Sequence, residues 1–217
     1  MKIKHYTFFT DSHKVFLKYF LNTFPFDPDI DLNIRYMPQE CESGEFVSEG
    51  WNNTMKRKVQ YILDSLKEMD DNDIFIHTDA DIVFIKPYKK ILLEELGDAD
   101  LIFQSDIGTA CMGVFACKVN DRTKSLFNKL YNDLSKHYHD QEGINHIIRN
   151  KDHHPDLKIR LFSYKFFNHG FLGKHYEEQN DDVIFPQDMV LLHANFTVGI
   201  ERKVKLIQLA LQRFNLK

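Results

Sequence analysis

Ile74-Phe75-Ile76-His77-Thr78-Asp79-Ala80-Asp81 is an apolar run that ends on two carboxylates one residue apart. Carboxylates at i and i+2 point the same way along a strand or over a tight turn. Together they make an oxygen-rich site for a hard cation that keeps positions open for phosphate oxygens. Ala80 leaves room for a ligand to lie close to the backbone. The same Asp-x-Asp spacing recurs at Asp27-Pro28-Asp29 and Asp98-Ala99-Asp100, but only Asp79 and Asp81 end an apolar strand and lead into further apolar residues, Ile82-Val83-Phe84-Ile85.

On either side of this run, β-like and helical periods alternate. Residues 3–10 read as a first strand, followed by a helix through Val15, Phe16, Tyr19 and Phe20, and residues 32–36 alternate with a period of two. Residues 39–50 are polar and read as a loop. Trp51, Met55, Val59, Ile62, Leu66 and Met69 then recur at helical spacing and lead to a strand at 73–77. Residues 88–96 read as a helix that Gly97 terminates. Short buried strands follow at 101–103 and 114–116, then a long amphipathic helix over 122–137 and another from Gln141. Strands at 158–164 and 189–193 and a terminal helix from Ile200 complete the chain. This order predicts an α/β sandwich with a mixed, mostly parallel sheet flanked by helices. Ligands of such sheets sit beyond the carboxyl ends of the strands, where Asp79, Asp81 and His193 all fall.

The bulk properties narrow the class. With 217 residues, 43% hydrophobic and 13% aromatic, the chain reads as one domain with a real core rather than a disordered segment. The net charge of −4 gives no basic excess with which to neutralise phosphates, which argues against a nucleic-acid partner. Three irregularly placed cysteines, Cys41, Cys111 and Cys117, make neither a disulfide framework nor a zinc motif, so a reducing compartment is expected. No apolar stretch reaches the ~18 residues of a membrane span. The N-terminus lacks a signal peptide's apolar core, so the expected location is the cytoplasm, or a host's cytoplasm for a viral protein, with a domain excised from a longer chain as the alternative. The sequons at Asn52 and Asn195 read as chance matches in that setting.

Several segments fall in a further order. Thr10-Asp11-Ser12 ends the first strand, and Lys56-Arg57-Lys58 stands on the helix before the acidic pair. Asp106, Met112-Gly113-Val114-Phe115, Asp140-Gln141-Glu142, and His193-Ala194-Asn195 with Gly199 and Arg202-Lys203 come after it. In this the chain resembles the retaining, DxD-containing nucleotide-diphospho-sugar glycosyltransferases of the GT-A (Rossmann-like) fold, over nearly its whole length. The resemblance implies that Thr10, Asp11, Arg57, Ala80, Asp106 and Lys203 contact a UDP-sugar donor. It makes Asp79, Asp81 and His193 the ligands of Mn²⁺ or Mg²⁺, and sets Asp140 and Gln141 at the anomeric carbon. Residues 1–105 would form the nucleotide-binding half and 106–217 the sugar and acceptor half, with a glycan or glycoprotein acceptor. Cys111 stands where many relatives carry Asn, which leaves the donor sugar open. Small stand-alone domains of this kind resemble those of large DNA viruses and bacteria.

The residues themselves keep two alternatives in view. An apolar strand followed by Asp-x-Asp also resembles the start of haloacid-dehalogenase phosphatases, with Asp79 as nucleophile, although that family usually puts this strand first in the domain. A catalytically inactive nucleotide-binding module is the other. At Asp140 the plain structural reading is a helix N-terminus, which Asp140 would cap and Glu142 complement.

Overall fold

The computed structural model describes residues 2–41, 49–172, 176 and 183–216. Residues 42–48 of the expected polar loop lie outside them. The strand read at 73–77 forms as Ile74–Thr78 (β3), with all five residues buried. It lies in the interior of a six-stranded sheet, and it is apolar on both faces because both faces are covered.

The strands β1 (Ile3–Phe9) and β2 (Ile30–Tyr36) flank the helix α1 (Lys14–Thr23), and α2 (Trp51–Lys67) leads into β3. After β3 come β4 (Ile82–Phe84), α3 (Lys89–Leu96), β5 (Leu101–Asp106), β6 (Thr109–Lys118) and α4 (Asp121–Asp133). Then follow α5 (Asp140–Arg149), β7 (Ile159–Leu161), β8 (Phe166–Asn168), β9 (Leu191–His193) and α6 (Ile200–Arg213). The main sheet has the order β2-β1-β3-β6-β5-β7. Every strand runs one way except β6, which is antiparallel to both β3 and β5, so the mixed, mostly parallel sheet expected from the sequence is the one that forms.

One face of the sheet packs against Val59, Ile62 and Leu66 of α2, Phe127 and Leu130 of α4, and Ile144 of α5. The other packs against Phe20 of α1 and Leu92 and Leu96 of α3. A smaller sheet of order β4-β9-β8 lies beside the main one, and Leu206, Ile207 and Ala210 of α6 join Val83 and Leu192 in a third cluster. Among the described residues no helix is long and apolar enough to cross a membrane.

Where the elements differ from the sequence reading, packing explains it. The strand expected over 158–164 is only Ile159–Leu161, at the sheet edge with two exposed residues. Three-residue β8, Phe166–Asn168, is too short to show a period. The helix expected over 122–137 stops at Asp133, and Leu134–Lys136 tightens into a 3₁₀ turn. The α5 cap is His139, whose ring nitrogen accepts from the Glu142 N–H, and Asp140 is the first helical residue instead.

The pairing of β5 with β6 is broken in a way that matters for the site. Phe103 faces Phe115, yet the next residue, Gln104, faces Cys111. Met112, Gly113 and Val114 thus have no partner on β5, a bulge that turns the backbone of β6 outward beside β3.

The helix α4 is held by a capping box: the Asn120 side chain accepts from the Thr123 N–H at 3.0 Å, and Thr123 Oγ1 accepts from the Asn120 N–H at 3.1 Å. Asn120→Ala removes one half of it and should lower stability by ~1–2 kcal/mol, read as a shift in the urea midpoint without change in slope.

Candidate active site

Strand ends from both sheets converge. Thr10 follows β1, Asp79 follows β3, Asp106 closes β5 and His193 closes β9. All line one cleft of about 350 Å³ at the carboxyl ends of the strands. Met112 and Gly113 of the bulge line it. The Gly113 carbonyl accepts from the Asp79 N–H at 2.8 Å, and β4 pairs with β9 so that Ile82 faces His193. The Asp81 carbonyl accepts from the Ala194 N–H at 3.0 Å, which locks the acidic turn to the C-terminal segment.

The result is a compact donor set. A carboxylate oxygen from each of Asp79 and Asp81 and a ring nitrogen of His193 lie within 4.8 Å of one another. His193 Nε2 is 3.4 Å from Asp81 Oδ1, and Lys203 Nζ donates to Asp81 Oδ2 at 2.6 Å. Asp79 Oδ1 meets Lys58 Nζ at 2.9 Å and His77 Nε2 at 3.2 Å. Lys58 also reaches Asp140 Oδ2 at 3.4 Å.

Electrostatics follow from that packing. Burial alone would raise both carboxyl pKa values. Lys58, with help from His77, holds Asp79 below the usual carboxylate range, and Lys203 with His193 holds Asp81 well below it. Burial opposes a charge on His193, but the Asp81 carboxylate beside it lifts its pKa to about 10. Burial likewise opposes the Lys58 charge, and Asp79 and Asp140 overcome it, so its pKa is raised. His77 is lowered, chiefly by burial, and stays neutral.

These residues fit a divalent cation. Asp79, Asp81, Asp106 and Asp140 line the cleft together with Lys58 and Lys203. Two oxygens and one imidazole nitrogen converge at a point open to the cleft, the ligand chemistry of Mn²⁺ or a similar ion. Such an ion would displace the proton that Asp81 holds on His193.

Across the cleft, Gln141 is clamped. Its Nε2 donates to Asp106 Oδ2 at 2.5 Å, and its Oε1 accepts from the Met112 N–H at 3.3 Å. Asn145 ties the same helix to β6 by donating to the Ala110 carbonyl at 2.8 Å and accepting from the Ala110 N–H at 2.9 Å. Asp106, Asp140 and Gln141 therefore line the same cleft as Asp79, Asp81 and His193.

Of the residues singled out from the sequence, Thr10, Ala80, Asp106, Lys203, Asp140, Gln141, Asp79, Asp81 and His193 all line the cleft. Arg57 and Asp11 are not among the lining residues. Arg57 is half-exposed and pairs with Glu40, and Asp11 accepts from the Tyr36 hydroxyl at 2.9 Å on the surface. The basic residue of that turn which faces the cleft is Lys58, whose side chain is 3% exposed. Its signal was available: Lys58 lies four residues before Ile62 and three after Met55, inside the apolar stripe, whereas Arg57 lies off it. Gln104 and His77, which brace the ligands, carried no sequence signal.

Gly113 tolerates no side chain. A Cβ there would stand 2.2 Å from His193 Cε1 and 2.9 Å from Asp79 Oδ2. Gly113→Ala is therefore expected to displace both side chains and, with Mn²⁺ as the probe cation, to weaken any binding there at least ~10-fold by calorimetry. Lys58→Met leaves Asp79 and Asp140 without their shared counter-charge. It should cost about 3 kcal/mol in denaturant unfolding, part of it regained when Mn²⁺ is added.

The arrangement agrees with known proteins. No curated protein sequence matches the chain. The solved structures it resembles include a glycosyltransferase involved in glycosylation of the major capsid of PBCV-1, at 9% identity and TM-score 0.60, covering 96% of this chain and 100% of that one. Mouse xyloside xylosyltransferase 1 matches at 10% identity and TM-score 0.57, over 90% of this chain and 98% of that one. The glycosyltransferase GlyE of Streptococcus pneumoniae TIGR4 matches at 13% identity and TM-score 0.57, covering 99% of this chain, which spans 61% of the GlyE chain. At these identities the likeness speaks for a shared GT-A fold. A model of the nucleotide-diphospho-sugar transferase family matches residues 28–207, which sets aside the phosphatase reading of Asp79. A match that takes in the acidic turn, the bulged strand, the Asp-Gln helix and the late histidine leaves one conclusion: the chain belongs to the nucleotide-diphospho-sugar transferases and is a nucleotide-sugar-dependent glycosyltransferase of the GT-A fold.

Proposed function

We propose that the protein transfers a sugar from a UDP-sugar to a hydroxyl of a glycan or glycoprotein, with retention of anomeric configuration and with Mn²⁺ as the preferred ion. The observation that carries this reading is that the Asp79/Asp81/His193 cluster and the clamped Asp106–Gln141 pair, with Asp140 beside it, line one cleft. The first suits a divalent cation, which would in turn hold a diphosphate; the second is suited to sugar hydroxyls. Residues 1–105 supply the nucleotide side and 106–217 the sugar and acceptor side.

In glycosyl transfer the donor C1–O bond breaks, its electron pair leaves with the diphosphate, and an acceptor oxygen bonds to C1 and loses its proton. The ring passes through an oxocarbenium-like state while negative charge gathers on the phosphate. Asp79, Asp81 and His193 would hold a divalent ion, which would supply Lewis-acid stabilisation of that charge. Lys203 adds a fixed positive charge from the first turn of α6, whose N-terminal amides also favour an anion. Thr10, at the end of β1, lines the same cleft, where it would meet the nucleoside.

The environment of Asp140 and Gln141 bears on the route. Lys58 pairs with Asp140 at 3.4 Å, which lessens its strength as a nucleophile, and the Gln141 amide is held by Asp106 and Met112. Both are better placed to stabilise a developing cation than to bond to it. The reading that follows is front-face attack, in which the departing phosphate oxygen accepts the acceptor's proton. Preference for Mn²⁺ over Mg²⁺ follows from one imidazole among oxygen ligands.

Thermal unfolding with UDP, with Mn²⁺, with both, and with both plus EDTA tests the donor site in the wild type and in Asp81→Asn. Stabilisation of ~2–4 kcal/mol should need UDP and Mn²⁺ together at saturating concentrations and disappear with chelator and in Asp81→Asn. A wild type indifferent to UDP defeats the UDP reading. Gln141→Ala should lower kcat ~10²-fold or more with little change in the KM for donor, measured as release of UDP; a change confined to KM would remove Gln141 from the reacting centre.

A further inference from the structure

We infer that Gln104 is a positioning residue that fixes His193 in the one tautomer able to bind a metal through Nε2, a role that rests on the metal site proposed above. Gln104 has no exposed surface and is the first residue of β5 beyond the break in register with β6. Its Nε2 donates to the carbonyls of Phe166 at 2.9 Å and Phe167 at 3.2 Å, and its Oε1 lies 2.8 Å from His193 Nδ1.

Chemistry orients this amide without ambiguity. Two main-chain carbonyls can only accept, so the amino group must face them and the amide oxygen must face the histidine. An oxygen at 2.8 Å requires a proton on Nδ1. When His193 is neutral, its lone pair is therefore on Nε2, the nitrogen 3.4 Å from Asp81 and on the same side as Asp79. A histidine without such a partner divides itself between two tautomers and several ring orientations, and only one of these coordinates.

The bracing spans the two sheets. Phe166 and Phe167 belong to β8, which pairs with β9 so that Asn168 faces His193. Gln104 on the main sheet thus holds the strand beside the ligand as well as the ligand itself. The bulge that brings Gly113 against His193 is the same irregularity that sets Gln104 opposite Cys111, so the ring is confined from two directions. With the imidazole committed, the site selects ions that accept nitrogen, Mn²⁺, Co²⁺ or Zn²⁺, ahead of Mg²⁺.

The test is the affinity for Mn²⁺ without nucleotide, by electron paramagnetic resonance of the free ion, for the wild type and Gln104→Met. Long-range ¹H–¹⁵N spectra of the wild type loaded with Zn²⁺ accompany it. Gln104→Met, similar in length but without the amide, should bind Mn²⁺ about 10–100-fold more weakly, and His193 of the wild type should carry its proton on Nδ1. A folded Gln104→Met with Mn²⁺ affinity within about twofold of wild type overturns the role of Gln104 while leaving the metal site standing. If the variant does not fold, the spectra decide alone: a proton on Nε2 of His193 overturns the inference. A wild type that binds no divalent ion overturns the metal site and this role with it.

Discussion

Two carboxylates held side by side at the end of a central strand are the constraint around which the rest of the cleft is arranged. Asp81 is almost wholly buried and Asp79 opens only toward the cleft, so neither has enough water to carry its charge alone. Each is given its own lysine: Lys58 arrives from α2 and Lys203 from α6. Each also has a histidine, His77 from the same strand and His193 from β9. Four separate elements thus depend on where one turn places two side chains.

The turn in turn depends on a gap. Asp79 and the His193 ring approach β6 so closely at Gly113 that no Cβ fits, and the broken pairing of β5 with β6 provides the backbone shape for that approach. A regular ladder would have placed a side chain where the imidazole now stands. The irregularity is therefore a working part of the fold, and the glycine within it is required by distance rather than by dihedral angle. The same break faces Gln104 toward the histidine and lets Gln141 reach the Met112 N–H.

How much of this was legible in the chain differs from residue to residue. Asp79 and Asp81 stood out because an apolar strand cannot end on two carboxylates without a reason. His193 and Gly113 stood out only through the order of motifs. Arg57 and Lys58 are neighbours of the same type on one helix, and it took the phase of the apolar stripe to tell the surface residue from the buried one. The cap of α5 shows the reverse: Asp140 has the composition of a cap, but the cleft uses its carboxylate, so His139 takes the capping position.

The sequence by itself determined what rests on local pattern. The alternation of strands and helices, the mixed and mostly parallel sheet and the acidic pair at a strand end followed from periodicity, and the nucleotide-sugar character of the site was what the resemblance of its motifs to a known family implied. The tertiary structure alone decided which charges meet. Lys58 with Asp140, Lys203 with Asp81, Gln104 with His193 and Gln141 with Asp106 are pairs far apart in the chain. Local spacing sets the direction of a side chain from its own element, but the register of β4 on β9 and the bulge in β6 set which element it faces. Those arise from packing both sheets around one core, and no window of neighbouring residues contains that information.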